Sequence, residues 1–597
     1  MWGQSSVRNE ASRKEFGFVL LVGGLGTLGI FSGVLDHTFV SFDDPDYVLG
    51  NEWIRGGLSF EGIVWAFTSL NSGISYWHPL TWISHQIDCE FFGLNAACHK
   101  VTSVSLHFLN SCLLYRLLRR LRFSVASTIA VSCLFAWHPL HVESVAWVSE
   151  RKDVLSTVFA FATFHAYLSF VSRRTVYRYL TVLFLFGCAV MSKPMVVTLP
   201  VILILVDVWP LGRLSGRDPR AVAWRRLIRE KLPLICMSAA VSVLTVIAQD
   251  DLGIVRSSEE ISMAYRIANA LESYLIYFLK LGFPFGLAAF YPYPSEFSEV
   301  SVLIGLSFFV GMSALAYKSC KNHAHIAFGW VWYLVSSLPV IGLIQVGGQA
   351  RADRYTYVPL VGLMLILFGG MNGCNKRLRR VVCIVGVSGF LIFLIPLTVR
   401  QVRFWKDSET LYRRAIIVAP TSAKMRLALL STLDRGGQDK EVLTHLNKAI
   451  RAAPDSARVH TVAAVIHRLG GRLELEIVHL RKSLFWDPDQ PDLLRRLAYL
   501  LSAHPDPTVR RPREAVRLAR TAFLSGRGNR QEILDTWAIA EAQAGNFSVA
   551  TRLSRRAIEM NPIEISLTLL NRLRLFEEQQ VFVDPNLAPR NSPLASE

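Results

Sequence analysis

The chain has 597 residues, of which 51% are hydrophobic, and its mean hydropathy is +0.32. This composition excludes an ordinary soluble enzyme of the same length and indicates a polytopic membrane protein. The net charge is +18, but most basic clusters lie in short loops between apolar segments. Basic residues in such loops orient a membrane protein, so we expect no nucleic-acid partner.

Eleven apolar stretches are long enough to cross roughly 30 Å of hydrocarbon. They lie near residues 16–35, 101–121, 123–143, 153–171, 177–195, 195–210, 231–249, 300–317, 324–345, 355–372 and 381–399. No small-residue cleavage site follows the first stretch, which predicts an uncleaved span. With the basic loops in the cytoplasm, the outer loop 36–100 and the region after residue 400 face outside.

The segment from Met263 to Phe290 is apolar enough to span, yet a crossing there would place the basic loop near Lys318 outside. We therefore interpret it as an interfacial or re-entrant helix, with Arg266, Glu272 and Lys280 at the headgroups. The alternative is a twelfth span, which would move the C-terminal region into the cytoplasm.

Three carboxylates follow the first span in the outer loop, within the sequence from Ser41 to Tyr47. Two of them, Asp43 and Asp44, are adjacent and repel each other beside the membrane, so at least one is readily tuned toward a general base or a metal ligand. The alternative is a solvated loop with a side-chain-stabilised turn before Pro45.

Further polar groups converge on the same predicted side. Charged groups at the ends of spans are costly, which favours a function, although snorkelling and helix capping are the structural alternatives. Cations here suit a phosphate, and we select Arg151, Lys152, Lys193, Arg351 and Arg354. The supporting groups are His78, His138, His141, Glu143, Glu150, Asp353 and Tyr355.

Two smaller patterns in the outer segments leave alternatives open. His138 and His141 are three residues apart and close to Glu143, so they could bind a divalent cation, although the spacing dictates no fourth ligand. Cys89 and Cys98 could form a disulfide in an oxidising compartment, unless a helix between them holds the thiols apart.

The C-terminal region repeats a short motif in which Pro420, Pro454 and Pro488 follow one another at intervals of 34 residues. This is the tetratricopeptide period. Gly436 and Gly470 lie where the turn between paired helices needs a residue without Cβ. The pattern predicts a membrane domain over 1–400, a tetratricopeptide α-solenoid over 401–580, and a disordered tail over 581–597.

Several motifs occur in a fixed order along nearly the whole chain. They are Phe42-Asp43-Asp44, His78-Pro79-Leu80-Thr81, Gly93-Leu94-Asn95 to His99, His138-Pro139 through Glu150-Arg151-Lys152-Asp153, Ser192-Lys193-Pro194, Ala352-Asp353-Arg354-Tyr355, and the repeats. Together they resemble the transmembrane and tetratricopeptide repeat-containing O-mannosyltransferase family, in a form similar to its bacterial members.

The resemblance implies an all-α, polytopic GT-C glycosyltransferase that takes a mannose-like sugar from a polyprenyl-phosphate carrier. The acceptor would be a protein hydroxyl outside the cytoplasm, and the membrane a bacterial inner membrane. Asp43 would act as base, and Asp44 would orient the acceptor or a divalent cation. The resemblance implies no firm cofactor. The repeats would present the protein acceptor. The alternatives are a lipid or surface-glycan acceptor, or a non-catalytic membrane-anchored scaffold.

Overall fold

The computed structural model describes residues 2–69, 77–214, 219–250, 261–294, 296–344, 347–371, 377–433, 439–560 and 566–587. The fold is all-α, as predicted. Within the described ranges, the sheet structure consists of β1 (Tyr291–Pro292) and β2 (Gln349–Arg351), which pair antiparallel. The chain forms two compact units, Met1–Pro420 and Thr421–Glu597.

The first unit contains seventeen α-helices among the described residues. They are α1 (Trp2–Phe31), α2 (Glu52–Arg55), α3 (Phe60–Thr68), α4 (Pro79–Phe92), α5 (Ala96–Arg120), α6 (Val125–Trp137), α7 (Val142–Ala146), α8 (Arg151–Ser172), α9 (Val176–Ser192), α10 (Leu199–Val208), α11 (Arg220–Asp250), α12 (Met263–Gly282), α13 (Glu299–Ser319), α14 (Ala324–Ser337), α15 (Pro359–Phe368), α16 (Arg377–Arg403) and α17 (Ser408–Val418). Because α17 packs with this unit, the first unit extends beyond the predicted boundary at residue 400.

Five of the described helical segments are long and apolar enough to cross a membrane, and the bent pair Val125–Trp137 and Pro139–Ala146 gives a sixth if it counts as one span. The five are Glu15–Asp36, Val148–Ser172, Arg220–Ala248, Glu299–Ser319 and Ile384–Arg403. The sequence predicted eleven. Part of the difference arises because the helices in several predicted spans are short: Val176–Ser192, Pro194–Val208 and Pro359–Phe368 have only 10–17 residues.

Helix α12 corrects the predicted placement of Arg266 and Lys280 at the headgroups, whereas its interfacial or re-entrant character stays a prediction. Arg266 and Lys280 are buried, together with Asn269 and Tyr277, whereas Ile267 is exposed. Asn269 Nδ2 donates to the carbonyl of Ala350 at 2.8 Å. The polar face of α12 therefore packs inside the protein, and apolar side chains occupy its exposed face.

The second unit contains nine α-helices among the described residues. They are α18 (Ala423–Leu430), α19 (Asp439–Ala452), α20 (Ala457–Leu469), α21 (Leu473–Trp486), α22 (Pro491–Ala503), α23 (Pro512–Leu524), α24 (Arg530–Gln543), α25 (Phe547–Glu559) and α26 (Leu567–Glu577). Consecutive helices pack together in pairs, which include α20 with α21, α22 with α23, and α24 with α25. Small core residues such as Ala498, Ala519 and Ala538 allow this close approach. The tetratricopeptide assignment stays a prediction.

The turns of the second unit place glycine differently from the predicted pattern. The backbone of Gly470 has a φ of −83°, and the positive φ of 70° belongs to Gly471. Gly545 has a φ of 85°, in the left-handed region that favours glycine. Gly436, the other glycine of the predicted pattern, lies outside the described residues.

The chain after α26 packs against the second unit over residues 581–587. Tyr499 donates its hydroxyl hydrogen to Asp584 Oδ2 at 2.6 Å, and the amide of Asp584 donates to the carbonyl of Ala503 at 2.9 Å. Leu587 is buried. The predicted disordered tail began at residue 581, so these contacts correct its start; residues 588–597 lie outside the described ranges.

Candidate active site

Asp44 is held in place by the loop that precedes it and by the start of the segment leading into α8. Its Oδ2 accepts the amide hydrogen of Val40 at 2.9 Å. Its Oδ1 accepts both the amide and the hydroxyl of Ser149, at 3.0 and 2.5 Å. Burial raises the pKa of the Asp44 carboxyl, although these hydrogen bonds lower it. Asp44 therefore anchors the loop, and both of its oxygens accept hydrogen bonds from the chain, so it fits poorly as a metal ligand.

The same loop is fixed from its other side by the chain that follows α16. The amide of Thr38 donates to the carbonyl of Lys406 at 2.9 Å, and the amide of Ser41 donates to Ser408 Oγ at 2.8 Å. Lys100 Nζ donates to the carbonyls of Thr38 and Trp405, at 2.9 and 3.1 Å. The loop position thus depends on residues more than 350 positions away in the chain.

Lys100 was not selected from the sequence, because a single lysine near the start of a membrane helix usually indicates an interaction with the membrane surface. It is fully buried, and burial lowers its pKa to about 8, with the nearby Asp44 acting in the opposite direction. Asn95 begins α5 by accepting the amides of Ala97 and Cys98. This cap fixes the direction in which Lys100 projects one turn later.

Asp43 lies in the same turn and is only partly buried. Its carbonyl accepts the amide hydrogen of Tyr47 at 2.9 Å. The Tyr47 hydroxyl forms a hydrogen bond of 3.1 Å with Nδ1 of His78. Burial, reinforced by the charge of Lys152, holds the pKa of His78 well below its usual value, so this imidazole is neutral at physiological pH. Because Asp44 is fully buried and Asp43 is only partly buried, Asp43 is the more accessible acid of the pair.

Three cations surround the buried carboxylate of Glu150, and we call this group the Glu150 cluster. Lys152 Nζ and Arg354 Nε each lie 3.2 Å from Glu150 Oε1. Lys193 Nζ lies 2.8 Å from Glu150 Oε2. The sequence separates these cations widely, and the fold brings them together at the predicted site.

Two further carboxylates share these cations. Asp153 Oδ1 lies 2.7 Å from Lys193 Nζ, and its other oxygen accepts the hydroxyl of Ser144 at 2.9 Å. Glu143 accepts both the amide and the guanidinium of Arg354, at 3.0 and 2.5 Å. Glu143 therefore positions Arg354.

Trp147 connects the Glu150 cluster with the loop of Asp43. The ring of Phe42 lies 5.2 Å from the Trp147 ring, centroid to centroid. Lys152 Nζ and Arg354 Cζ lie 5.9 and 5.3 Å from the centre of the same ring. These distances are within the range of cation–π attraction. The residue beside Asp43 and two of the clustered cations thus share one buried aromatic platform.

The β1–β2 pair brings a second charged group to the site. Lys280 Nζ lies 2.9 Å from Asp353 Oδ1, and Tyr291 donates its hydroxyl to the same carboxylate. Arg351 lies over the ring of Tyr291 at 5.7 Å and is only half-buried. Tyr355 accepts a hydrogen bond from Gln349, and its ring lies 5.0 Å from the Arg354 guanidinium.

These contacts give different roles to the residues of that group. Asp353 is engaged by Lys280 and Tyr291. The sequence did not indicate these contacts, because the two residues lie 73 and 62 positions before Asp353 in the chain. Among the described residues, no carboxylate lies within 4.0 Å of the Arg351 guanidinium. In the part of the chain that the structure describes, Arg351 therefore forms no ion pair with a carboxylate.

Arg151 does not belong to the phosphate-binding set that the sequence predicted. It is fully buried, and its guanidinium lies 2.6 Å from Asp88 Oδ2. It also donates to the carbonyl of His99 at 2.5 Å. Arg151 and Lys152 are adjacent on α8, so their side chains diverge by about 100° around the axis. Arg151 is a structural partner of Asp88.

His138 and His141 also differ from their predicted roles. His138 Nε2 lies 3.0 Å from the carbonyl of Leu281, and its Nδ1 accepts the amide of Leu140 at 3.2 Å. His141 Nδ1 donates to the carbonyl of Phe135 at 2.6 Å. Both rings are fully buried. Since backbone groups hold both rings and Glu143 faces Arg354, the three residues do not assemble the divalent-cation site that the sequence left open.

A different group, His85, Asp88 and His99, brings potential metal-ligand atoms within 4.8 Å of one another. Nδ1 of His85 and Nδ1 of His99 lie 3.2 Å apart. The Arg151 guanidinium, however, already neutralises Asp88. A divalent cation among neutral imidazoles would leave two uncompensated buried charges, which is costly. We interpret the group as a hydrogen-bonded network.

Cys89 and Cys98 are both free thiols. Cys89 lies near the end of α4, where its Sγ is 3.8 Å from Nε2 of His99. Cys98 lies in the first turn of α5. The disulfide considered from the sequence is therefore not formed.

The fold and the site define an all-α polytopic membrane protein with a cluster of paired charges at one end of its helices. No family model matches the chain. A protein O-mannosyl-transferase of Homo sapiens is 22% identical over 70% of this chain and 64% of its own length. One of Caenorhabditis elegans is 23% identical, over 67% of this chain and 58% of the relative. One of Drosophila melanogaster is 32% identical over 23% of this chain and 15% of its own length.

The chain thus spans less than two thirds of the length of these relatives. The two long alignments nevertheless cover most of the present chain. These alignments support the resemblance to the transmembrane and tetratricopeptide repeat-containing O-mannosyltransferase family that the ordered motifs indicated.

Proposed function

We propose that this protein is a membrane glycosyltransferase that transfers a mannose-like sugar from a polyprenyl-phosphate donor to hydroxyl groups of proteins. The names of its relatives support the transfer and the protein acceptor. The single observation that carries the proposal is the convergence of three cations on Glu150, beside the Trp147 platform that also holds the Asp43 loop.

The Glu150 cluster suits a departing lipid phosphate. When the bond between sugar and phosphate breaks, its electron pair moves to the phosphate oxygen, and fixed cations stabilise that charge most when they are already oriented. Lys193 and Arg354 are oriented by Asp153 and Glu143. Lys152 completes the group, and Arg351 supplies a charge that no carboxylate within 4.0 Å neutralises among the described residues. Arginine adds bidentate contact with phosphate oxygens.

Asp43 is the base that we assign. The acceptor oxygen forms its new bond to the anomeric carbon of the sugar, and its proton passes to the Asp43 carboxylate. Asp44 holds the loop in register through Ser149, and Tyr47 with neutral His78 borders the same turn. Because its hydrogen bonds hold Asp44 in place, Asp44 cannot move to meet an acceptor. This favours Asp43 as the base.

We place this reaction on the extracytoplasmic face of a bacterial inner membrane, as the positions of the basic loops favour. The second unit would present the protein acceptor through a repeat surface. The sequence left two alternatives, a lipid or glycan acceptor and a non-catalytic scaffold. The first would form a glycosylated lipid or glycan, and the second would form no product.

The test uses the purified full-length chain in lipid vesicles, with polyprenyl-phosphate mannose and an unfolded protein rich in serine and threonine. Asp43→Asn should reduce transfer by about 10²–10⁴-fold, the usual contribution of a positioned base. The matched control is Asp46→Asn, an exposed acid three residues later that should stay within about twofold of the wild type. Full transfer by Asp43→Asn would refute the assignment, and transfer only to added lipid or glycan would favour the alternative acceptor.

A further inference from the structure

A cleft of about 860 Å³ lies between the end of α8, the start of α9 and the first turns of α11. It does not belong to the site described above. Its charged lining consists of four arginines and one glutamate, and its apolar lining of aromatic, aliphatic and proline side chains. The lining residues that matter for binding are Arg174, Val176, Tyr179, Arg225, Arg229 and Glu230.

The cleft lies at the far end of the two helices that carry the Glu150 cluster. Helix α8 begins with Arg151 and Lys152 and has 22 residues, a length of about 33 Å at 1.5 Å per residue. Helix α9 packs against α8 and ends just before Lys193. The cleft and the Glu150 cluster are therefore separated by about the thickness of a bilayer core.

The cleft has a surplus of positive charge. Among the described residues its one lining carboxylate is Glu230, which Arg213 holds through two contacts of 2.8 Å, with Arg174 3.6 Å away. Arg225 and Arg229 are exposed, and neither has a carboxylate within 4.0 Å among the described residues. Since Arg213 already neutralises Glu230, Arg225 and Arg229 favour an anionic ligand.

The wall beneath these arginines is rigid. The Tyr167 hydroxyl donates to Asp207 Oδ2 at 2.7 Å, and Lys231 contacts the same carboxylate. Tyr179 donates its hydroxyl to the carbonyl of Glu230 at 2.7 Å, which ties α9 to α11. This packing fixes the first turns of α11 and thus the spacing of the arginines that project from it.

Apolar rows lead away from the charged part of the cleft. On α9, Val176, Leu180 and Phe184 are 76, 55 and 69% exposed, and their spacing places them on one helix face. On α11, Ile228 and Leu232 are similarly exposed. Both helices are apolar, and α11 is one of the candidate spans. A ligand with a charged head and an apolar chain would match both parts of the surface.

We propose that this cleft binds the phosphate headgroup of an anionic membrane lipid, with the lipid chain lying along the exposed rows of α9 and α11. Recognition consists of ion pairs between the lipid phosphate and the arginines of α11, and of apolar contacts by the chain. A soluble phosphate would gain only the first of these. The site is independent of the proposed transferase, because binding requires no sugar transfer.

The test measures lipid binding to the delipidated full-length chain in phosphatidylcholine nanodiscs, titrated with phosphatidylglycerol and followed by native mass spectrometry. Each ion pair between an arginine of the cleft and the lipid phosphate should contribute about 1 kcal/mol. The double variant Arg225→Gln with Arg229→Gln should therefore bind about 30-fold more weakly. The matched control is Arg173→Gln with Arg220→Gln, which removes the same charge from exposed positions outside the cleft lining and should stay within about twofold.

Equal loss in both double variants would show a general charge effect and overturn the proposal, as would unchanged binding in the first. Glycerol phosphate, the soluble headgroup, should compete at least a hundredfold more weakly than the lipid; equal competition would refute the amphiphile. If the first double variant does not fold, Val176→Glu places a repelling carboxylate at an exposed position in the cleft and should weaken binding by a similar factor.

Discussion

Replacement of Asp44 by asparagine tests whether this residue anchors the loop of the proposed base. The wild-type carboxylate accepts three hydrogen bonds, one from Val40 and two from Ser149. An amide keeps one oxygen and turns an NH2 group toward the remaining donor. If the oxygen stays with Ser149, the buried amide of Val40 loses its acceptor.

The magnitude follows from these contacts. A buried donor without an acceptor costs about 1–3 kcal/mol. Because burial raises the pKa of Asp44, removal of its charge recovers part of that cost. We therefore expect Asp44→Asn to lower the free energy of unfolding by about 2 kcal/mol. Ser149→Ala removes one hydrogen bond and should cost about 1 kcal/mol.

The assay is thermal unfolding of the full-length chain in detergent, followed by intrinsic tryptophan fluorescence, together with the transfer rate. A raised pKa means that the folded state binds the Asp44 proton more tightly than the unfolded chain. The wild-type advantage over Asp44→Asn should therefore be largest at low pH and shrink as the pH rises through the folded-state pKa. An Asp44→Asn variant with unchanged stability and full activity would refute the anchoring argument.

Two further predictions concern the arginines and the buried histidines. Arg151→Met should lower the free energy of unfolding by about 3–5 kcal/mol, because it leaves Asp88 as an unpaired buried charge. Arg351→Gln should instead keep the thermal midpoint and raise the KM for the donor. A stable Arg151→Met variant with a raised KM, or an unstable Arg351→Gln variant, would contradict the assigned roles. Burial lowers the pKa values of His37 and His99 to about 4, so both are neutral in the fold and their contribution is lost as the pH falls from 6.5 toward 4. Between pH 7 and pH 5 each histidine should cost about 2 kcal/mol, and thermal midpoints that do not fall over this range would contradict the assignment.

Composition and hydropathy predicted a polytopic membrane protein, and the resemblance carried by the ordered motifs implied its all-α fold. The number of spans was harder to predict, because a window average does not give the exact length of a helix. In the region of Lys193, the two predicted spans become α9, a short 3-10 helix and α10. The break turns Lys193 inward, where it pairs with Glu150 and Asp153.

The candidate site was predictable where charges cluster in the sequence and less so where a single residue acts alone. Glu150 and Lys152 were identified from the charge run at the start of α8. Which residues of that run face the site depends on the rotation of α8, and Arg151 faces the other way. Lys100 and Lys280 are isolated in the sequence, and only tertiary packing brings them to their carbonyl and carboxylate partners.

The attachments of the Asp43 loop have a consequence for biosynthesis. The loop follows the first helix, yet Lys406 and Ser408, near the end of the first unit, supply its backbone partners. A growing chain inserts its helices from the N-terminus, so this loop leaves the ribosome early. It can adopt its ordered conformation only after nearly all of the first unit has been synthesised. The proposed base would therefore be assembled last, and a truncated or incompletely inserted chain would be catalytically silent.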